Sequence, residues 1–111
     1  MQFNETTVGN ILVTRVLDKR IAEAVSSELK TTLVGHFQNQ HGVVVLDLSE
    51  VSFIDSSGLG ALVAVLKSLQ GGDLVLCGLG GAVANMFKLT RMDKVFRIFQ
   101  TADEAISTLS A

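Results

Sequence analysis

Val43-Val44-Val45-Leu46-Asp47-Leu48, followed after a short loop by Asp55-Ser56-Ser57-Gly58-Leu59-Gly60 and then by Ala61-Leu62-Val63-Ala64-Val65-Leu66, is the stretch that decides the fold. The first run is continuously apolar, the pattern of a strand covered on both faces, and it predicts strand 43–48. The last run predicts a helix over 57–70. It is apolar almost all round, so one side should lie on a sheet and another against a neighbouring helix. Gly71-Gly72-Asp73 stops it. Two serine hydroxyls thus fall where a loop becomes a helix N-terminus, the place where unpaired N–H groups and the helix dipole favour negative charge. A hydroxyl there is well placed to carry a phosphate.

Working outward, residues 2–8 and 11–17 read as two strands joined by Gly9-Asn10, a two-residue hairpin turn. Asp18 ends the second strand and is a candidate cap for the helix that follows. Ile21, Ala24, Val25, Leu29, Leu33 and Phe37 recur with helical spacing, whereas Glu23, Ser26, Lys30 and Thr31 fall off that stripe. The pattern predicts an amphipathic helix of about 19 residues. Beyond the central stretch come strand 74–77, a turn Gly78-Leu79-Gly80-Gly81, a helix from about 82 to 90, and a strand Val95-Phe96-Arg97-Ile98-Phe99. Thr101-Ala102-Asp103-Glu104 has the form of a capping box and opens a last helix over Ala105, Ile106 and Leu109. The order β-β-α-β-α-β-α-β-α predicts one α/β domain, residues 1–111, whose later strands run parallel through right-handed crossovers.

Composition narrows the function. A chain of 111 residues that is 48% hydrophobic, with mean hydropathy +0.44, buries a real core and is not disordered. Charged residues are only 18%, which suits a surface that meets a partner. A net charge of −2, with no Trp or Tyr and no basic cluster interleaved with aromatics, argues against a nucleic-acid binder. The lone Cys77 excludes an intramolecular disulfide, suits a reducing compartment, and reads as a small buried hydrophobe in its strand. The longest apolar run, Leu59 to Leu66, is far shorter than the ~20 residues of a membrane span. Met1-Gln2-Phe3-Asn4-Glu5 has no signal-peptide pattern. A cytoplasmic location is expected.

The residues that might do chemistry point away from catalysis. A serine hydrolase needs a base, and His36 and His41 both flank the start of strand 43–48 while Ser57 lies beyond its far end, about 20 Å away at ~3.3 Å per residue. One Cys and two His give no zinc spacing, so no metal is expected. Gly78 to Gly81 lies between a strand and a helix, as a phosphate loop would, but lacks the full dinucleotide spacing and a Walker lysine. It reads as a tight turn, with a weak small-ligand or nucleotide site as the alternative, and no cofactor is expected. Asp47, Ser49 and Glu50 read as turn residues. Gly58 and Gly60 permit tight turning and close approach of a partner. Asp55 has two compatible readings, a loop carboxylate bonding local N–H groups and part of a recognition patch. Ser56 and Ser57 are divided evenly between helix N-cap and regulatory hydroxyl. A phosphate on either adds about −1.5 to −2 of charge, enough to disrupt an apolar or acidic contact.

The segment Val45-Leu46-Asp47-Leu48-Ser49-Glu50-Val51-Ser52-Phe53-Ile54-Asp55-Ser56-Ser57-Gly58-Leu59 resembles the signature of the bacterial anti-sigma factor antagonists, members of the STAS domain family. The likeness extends to the N-terminal hairpin, to Asp18, and to Leu89-Thr90-Arg91-Met92-Asp93-Lys94-Val95-Phe96, and so covers essentially the whole chain. It implies a STAS fold, a mixed sheet with helices, and a non-catalytic partner-switching protein. Such a protein binds an anti-sigma factor, often a serine kinase of the GHKL type, and releases it once phosphorylated; a separate serine phosphatase restores binding. The resemblance implies Ser57 as the phosphorylated residue and Asp18, Asp55, Ser56, Ser57, Gly58 and Leu59 as the partner-facing set. Nucleotide and metal would belong to the kinase. Arg15-Val16-Leu17 departs from the Gly-Glu-Leu that many members carry before the aspartate. The alternative is a STAS subunit that assembles constitutively with a transporter or stress-signalling complex, in which Ser57 only caps a helix.

Overall fold

The computed structural model describes residues 1–38, 42–69 and 71–110. Along the chain these form β1 (Phe3–Val8), β2 (Ile11–Val16), β3 (Arg20–Ile21), α1 (Glu23–Gln38), β4 (Val43–Asp47), β5 (Phe53–Ile54), α2 (Ser56–Ser68), β6 (Asp73–Cys77), α3 (Gly81–Leu89), β7 (Arg97–Phe99) and α4 (Ala102–Leu109). A five-stranded sheet runs in the order β1-β2-β4-β6-β7. β1 and β2 are the antiparallel hairpin, closed by Gly9 at φ 61° between the paired Val8 and Ile11. From β2 onward every neighbour is parallel, with Val13, Val45 and Val75 aligned across the centre.

The continuous apolar runs are explained by burial on both sides. Leu12, Val16, Val44, Leu46, Leu74 and Leu76 point into a core shared with Leu29 and Leu33 of α1, Leu59, Leu62 and Val65 of α2, and Val83 and Phe87 of α3. The alternate residues Ile11, Val13, Val45, Val75 and Cys77 face the other way, against Ala105, Ile106 and Leu109 of α4. Fully burying one such side chain contributes about 1.5–3 kcal/mol, so these central strands anchor the domain. Cys77 is a buried free thiol, as its strand context implied, and burial pushes it up to about 12, with Asp47 adding to the effect and Arg15 opposing it. Arg15, the departure noted in the hairpin, pairs through Nε with Oδ2 of the buried Asp47 at 3.2 Å. Asp47, expected as a turn residue, is instead the last residue of β4, and its Oδ1 accepts from the N–H of Ser49 in the turn that follows, at 2.9 Å.

Several element boundaries differ from the periodicity. The first helix starts at Glu23, because Arg20 and Ile21 are drawn into a two-residue parallel ladder with Phe53 and Ile54. Asp18 does not cap that helix. Its carboxylate accepts from the Gln2 N–H at 2.8 Å and ties the end of β2 to the start of β1. Ser26, off the apolar stripe by pattern, is 4% exposed, and Ala24, on it, is exposed. His36 is not a free surface residue: its imidazole is only 15% exposed and meets Glu5 at 3.1 Å. The last strand is confined to Arg97–Phe99, since Met92–Lys94 form a 3-10 turn and Phe96 drops into the core edge-on to Phe87, with ring centroids 6.0 Å apart. The second helix, expected over 57–70, spans Ser56–Ser68, because Leu69 turns extended at φ −70° and ψ 140°; His41 falls outside the described residues. Thr101 caps α4 as its motif requires, accepting from the Glu104 N–H at 3.1 Å.

Arg91, between α3 and the 3-10 turn, sits at φ 63°, a left-handed conformation that costs a side-chain-bearing residue about 1–2 kcal/mol. Arg91→Gly should therefore stabilise the protein, by up to about 1 kcal/mol after the flexibility glycine adds to the unfolded chain. Chemical denaturation would register this as a higher midpoint at unchanged slope.

Candidate functional site

The site is assembled by backbone hydrogen bonds before any side chain contributes. The Ser52 and Phe53 N–H groups both reach the Lys19 carbonyl, at 2.8 and 3.2 Å, and the Asp55 N–H reaches the Ile21 carbonyl at 3.1 Å. These bonds lock the loop after β4 against the segment that enters α1, so the N-terminal ends of α1 and α2 lie side by side.

Asp55, not a serine, is the N-cap of α2. It holds extended backbone, φ −102° and ψ −176°, and its Oδ1 accepts from the Gly58 N–H at 3.0 Å. This satisfies one of the orphan donors of the first turn. The even reading of Ser56 and Ser57 as N-caps is thereby corrected, since both lie inside the helix. The Ser57 hydroxyl donates to the same Oδ1 at 2.6 Å, a short charge-assisted bond. On its other side Ser57 Oγ lies 3.1 Å from Ser26 Oγ on α1. Ser57 is half-buried and Ser56 is exposed.

Gly58 is demanded by packing. A Cβ there would stand 2.6 Å from Ile54 Cγ1 and 2.9 Å from both Ile21 Cγ2 and the Ile21 carbonyl oxygen. Gly60, by contrast, faces open space. Of the residues singled out from sequence, Asp55, Ser57 and Gly58 are therefore joined in one hydrogen-bonded turn, and Ser56 is presented beside it. Leu59 is 6% exposed and belongs to the core. Asp18 is half-buried and engaged with Gln2. Ser26 was missed, because a serine in a helical pattern reads as polar surface and only the tertiary fold brings it to Ser57.

Close by, a shallow opening is lined by Arg20, Ala22, Glu23, Ala24, Val25 and Asp55. The Arg20 guanidinium stacks over the Phe53 ring at 4.1 Å, leaving an apolar and charged rim beside Asp55. Among the described residues no group of three or more His, Cys, Asp or Glu side chains is placed to hold a metal ion. The glycine turn does open α3, with Gly80 at its N-cap and Gly78 at φ 73°. Lys19, the one cationic side chain lining the hollow beside that turn, pairs with Glu50 at 3.7 Å.

The Ser57 hydrogen bond, helped by the Gly58 N–H, holds the Asp55 carboxyl below its ordinary value of 3.8. A depressed carboxylate stabilises the fold above its unfolded pKa, and that contribution is lost as pH falls through the folded value. Carbon-13 titration should show the Asp55 pKa rising toward the ordinary value in Ser57→Ala, because the largest cause of the shift is removed. Gly58→Ala should cost about 1–3 kcal/mol of stability through overpacking against Ile21 and Ile54, measurable by thermal unfolding.

The family model of the STAS domain matches residues 2–105. An anti-sigma-B factor antagonist from Listeria monocytogenes is 34% identical over 92 residues, which cover 80% of this chain and 76% of that protein. The chain therefore belongs to the STAS domain family, and within it its curated relatives are anti-sigma factor antagonists. Solved structures share the fold. An anti-sigma factor antagonist from Mycobacterium paratuberculosis superposes with TM-score 0.88 at 24% identity, covering 99% of this chain and 94% of that one. The anti-sigma factor antagonist SpoIIAA in its unphosphorylated form gives TM-score 0.80 at 18% identity, over 98% and 96% of the two chains. Its phosphorylated form, from Bacillus, gives 0.71 at 19% identity, over 97% and 99%. Among the described residues no helix is long and apolar enough to cross a membrane.

Proposed function

We propose that this chain is an anti-sigma factor antagonist whose grip on a cognate anti-sigma factor, a serine kinase of the GHKL type, is ended by phosphorylation of Ser57. The observation that carries the reading is the 2.6 Å bond from the Ser57 hydroxyl to Asp55 at the start of α2. Phosphorylation removes the donated proton and replaces it with a group of about −1.5 to −2 charge beside an ionised carboxylate. A bond that orders the turn becomes a repulsion, at a surface that also presents Ser56 and the half-buried Asp55. The partner-facing set is Asp18, Asp55, Ser56, Ser57, Gly58 and Leu59, the last two acting through backbone placement since their side-chain positions are buried. A dianion added to such a surface is unfavourable for any partner that meets it through apolar or acidic groups.

This chain acts as substrate and ligand of the kinase and catalyses nothing itself. The kinase supplies the nucleotide and its metal, and a separate serine phosphatase returns Ser57 to the free hydroxyl. The small relative SpoIIAA, known in both unphosphorylated and phosphorylated forms, supports a switch of this kind. Transcription responds because the anti-sigma factor, once held here, no longer holds its sigma factor, and the interaction takes place in the cytoplasm.

Affinity capture from the native cell with Ser57→Ala and Ser57→Asp bait tests the reading. The alanine protein should retain a GHKL-type kinase and the aspartate protein should lose it, by at least tenfold in recovered partner. Equal recovery of transporter or scaffold subunits by both baits would overturn the proposal and make the chain a constitutive STAS subunit.

A further inference from the structure

We infer that Ser26, on α1, is a positioning residue for the phosphoacceptor: its hydroxyl donates to Ser57 Oγ and, with Asp55, fixes the direction from which that oxygen attacks phosphorus. The inference rests on Ser57 being the phosphoacceptor and names a second residue that governs the same step.

Proton accounting assigns the direction of each bond. Two hydroxyl protons serve three contacts: Ser57 to Asp55 at 2.6 Å, Ser26 with Ser57 at 3.1 Å, and Ser26 to the Ala22 carbonyl at 3.0 Å. An ionised Asp55 only accepts, so Ser57 spends its proton there. In the contact between the two serines Ser26 must then be the donor. Its proton has two acceptors within reach, the Ala22 carbonyl at 3.0 Å, whose second lone pair stays open beside the Ser26 N–H, and Ser57 Oγ at 3.1 Å, so it is shared between them as a three-centre bond. A hydroxyl that donates to a carboxylate is polarised into a better acceptor, which favours the relay Ser26 to Ser57 to Asp55.

The geometry at Ser57 Oγ follows. A hydroxyl oxygen has four roughly tetrahedral directions. One holds Cβ, one the proton aimed at Asp55, and one the lone pair that receives the Ser26 proton. A single lone pair is left to attack. Ser26 is 4% exposed, so no phosphorus can approach from its side, and the remaining direction is the one open to a nucleotide held by a partner. During transfer the Ser57 Oγ–P bond forms as the bond from phosphorus to the leaving ADP oxygen breaks, and the Ser57 proton departs along its bond to Asp55 and is passed on to solvent, which leaves Asp55 ionised. Ser26 keeps its own proton throughout and touches neither phosphorus nor nucleotide; its part is orientation.

Because Ser26 is buried, its removal should leave recognition by the kinase intact and change only the chemical step. In isotope-labelled protein, three-bond couplings and the Ser57 carbon-13 β shift should report one χ1 rotamer in the wild type, averaged rotamers in Ser26→Ala, and one rotamer again in Ser26→Thr, which restores the hydroxyl. With the kinase captured by the Ser57→Ala protein and radiolabelled ATP, Ser26→Ala should lower kcat for phosphate entry at Ser57 roughly two- to tenfold, the worth of one ordinary hydrogen bond. KM should not change, and Ser26→Thr should restore the rate. Should the alanine protein unfold, Ser26→Cys fills the same space with a weak donor and is expected to fall between alanine and threonine. A retained rotamer or a wild-type kcat in Ser26→Ala would overturn this inference and leave Ser57 as the acceptor. Absence of phosphate on wild-type Ser57 would overturn the reading of the site, and this inference with it.

Discussion

Everything at the candidate site depends on a short backbone ladder. Lys19, Arg20 and Ile21, having left β2, are bonded to Ser52 through Asp55, which have just left β4. The two segments are far apart in sequence, yet this short pairing brings the first turns of α1 and α2 side by side. Without that ladder Asp55 would have no fixed backbone from which to cap α2, and Ser26 would not lie beside Ser57. The ladder tolerates no bulk at its edge, which is why residue 58 is a glycine packed against Ile21 and Ile54. Large hydrophobic burial in β4 and β6 holds the domain together, but this small irregular sheet sets the chemistry.

The contrast between the two sheets explains which features were legible in the sequence. Strands buried on both faces are mostly apolar, so Val43 to Leu48, interrupted only by the ion-paired Asp47, and Leu74 to Cys77 announce themselves. The Gly9 turn and the Thr101 cap are local, each decided by side chains within a few residues. Two-residue strands have no period to detect, so Arg20–Ile21 was absorbed into the helix and Phe53–Ile54 into the loop. Asp18 preceded a helical pattern and so resembled a cap, but its partner is Gln2, sixteen residues away. Such pairing is invisible to any local rule.

At the site itself, residue type and position were legible while roles were not. Both aspartate and serine are good N-caps, and Asp55-Ser56-Ser57 offers three candidates in a row. The choice was made by backbone conformation: Asp55 alone is extended, with its N–H already committed to the Ile21 carbonyl. Once Asp55 caps the helix, Ser57 is released from that duty, and its hydroxyl becomes a substituent on the cap. This changes what a modification does. A phosphate on the capping residue itself would only exchange one helix-favouring acceptor for another. A phosphate on a residue that donates to the cap strips the cap of its strongest partner.

The electrostatics of that exchange are local and unbalanced. Asp55 is held ionised by donors, chiefly the Ser57 hydroxyl and then the Gly58 N–H. When the Ser57 proton is replaced by phosphate, Asp55 retains Gly58 but gains an anionic neighbour, and Arg20, which lines the adjoining rim, is already stacked on Phe53 and shares that rim with Glu23. The α2 dipole and its free N–H groups moderate the added charge but do not cancel it. The rest of the fold is insulated, because the helix behind Ser57 is fixed by Leu59, Leu62 and Val65 in the core. A modification at this turn therefore alters the local surface charge and leaves the scaffold as it was. Under the proposed switch, in which one enzyme modifies Ser57 and another restores it, such insulation would let both forms remain folded.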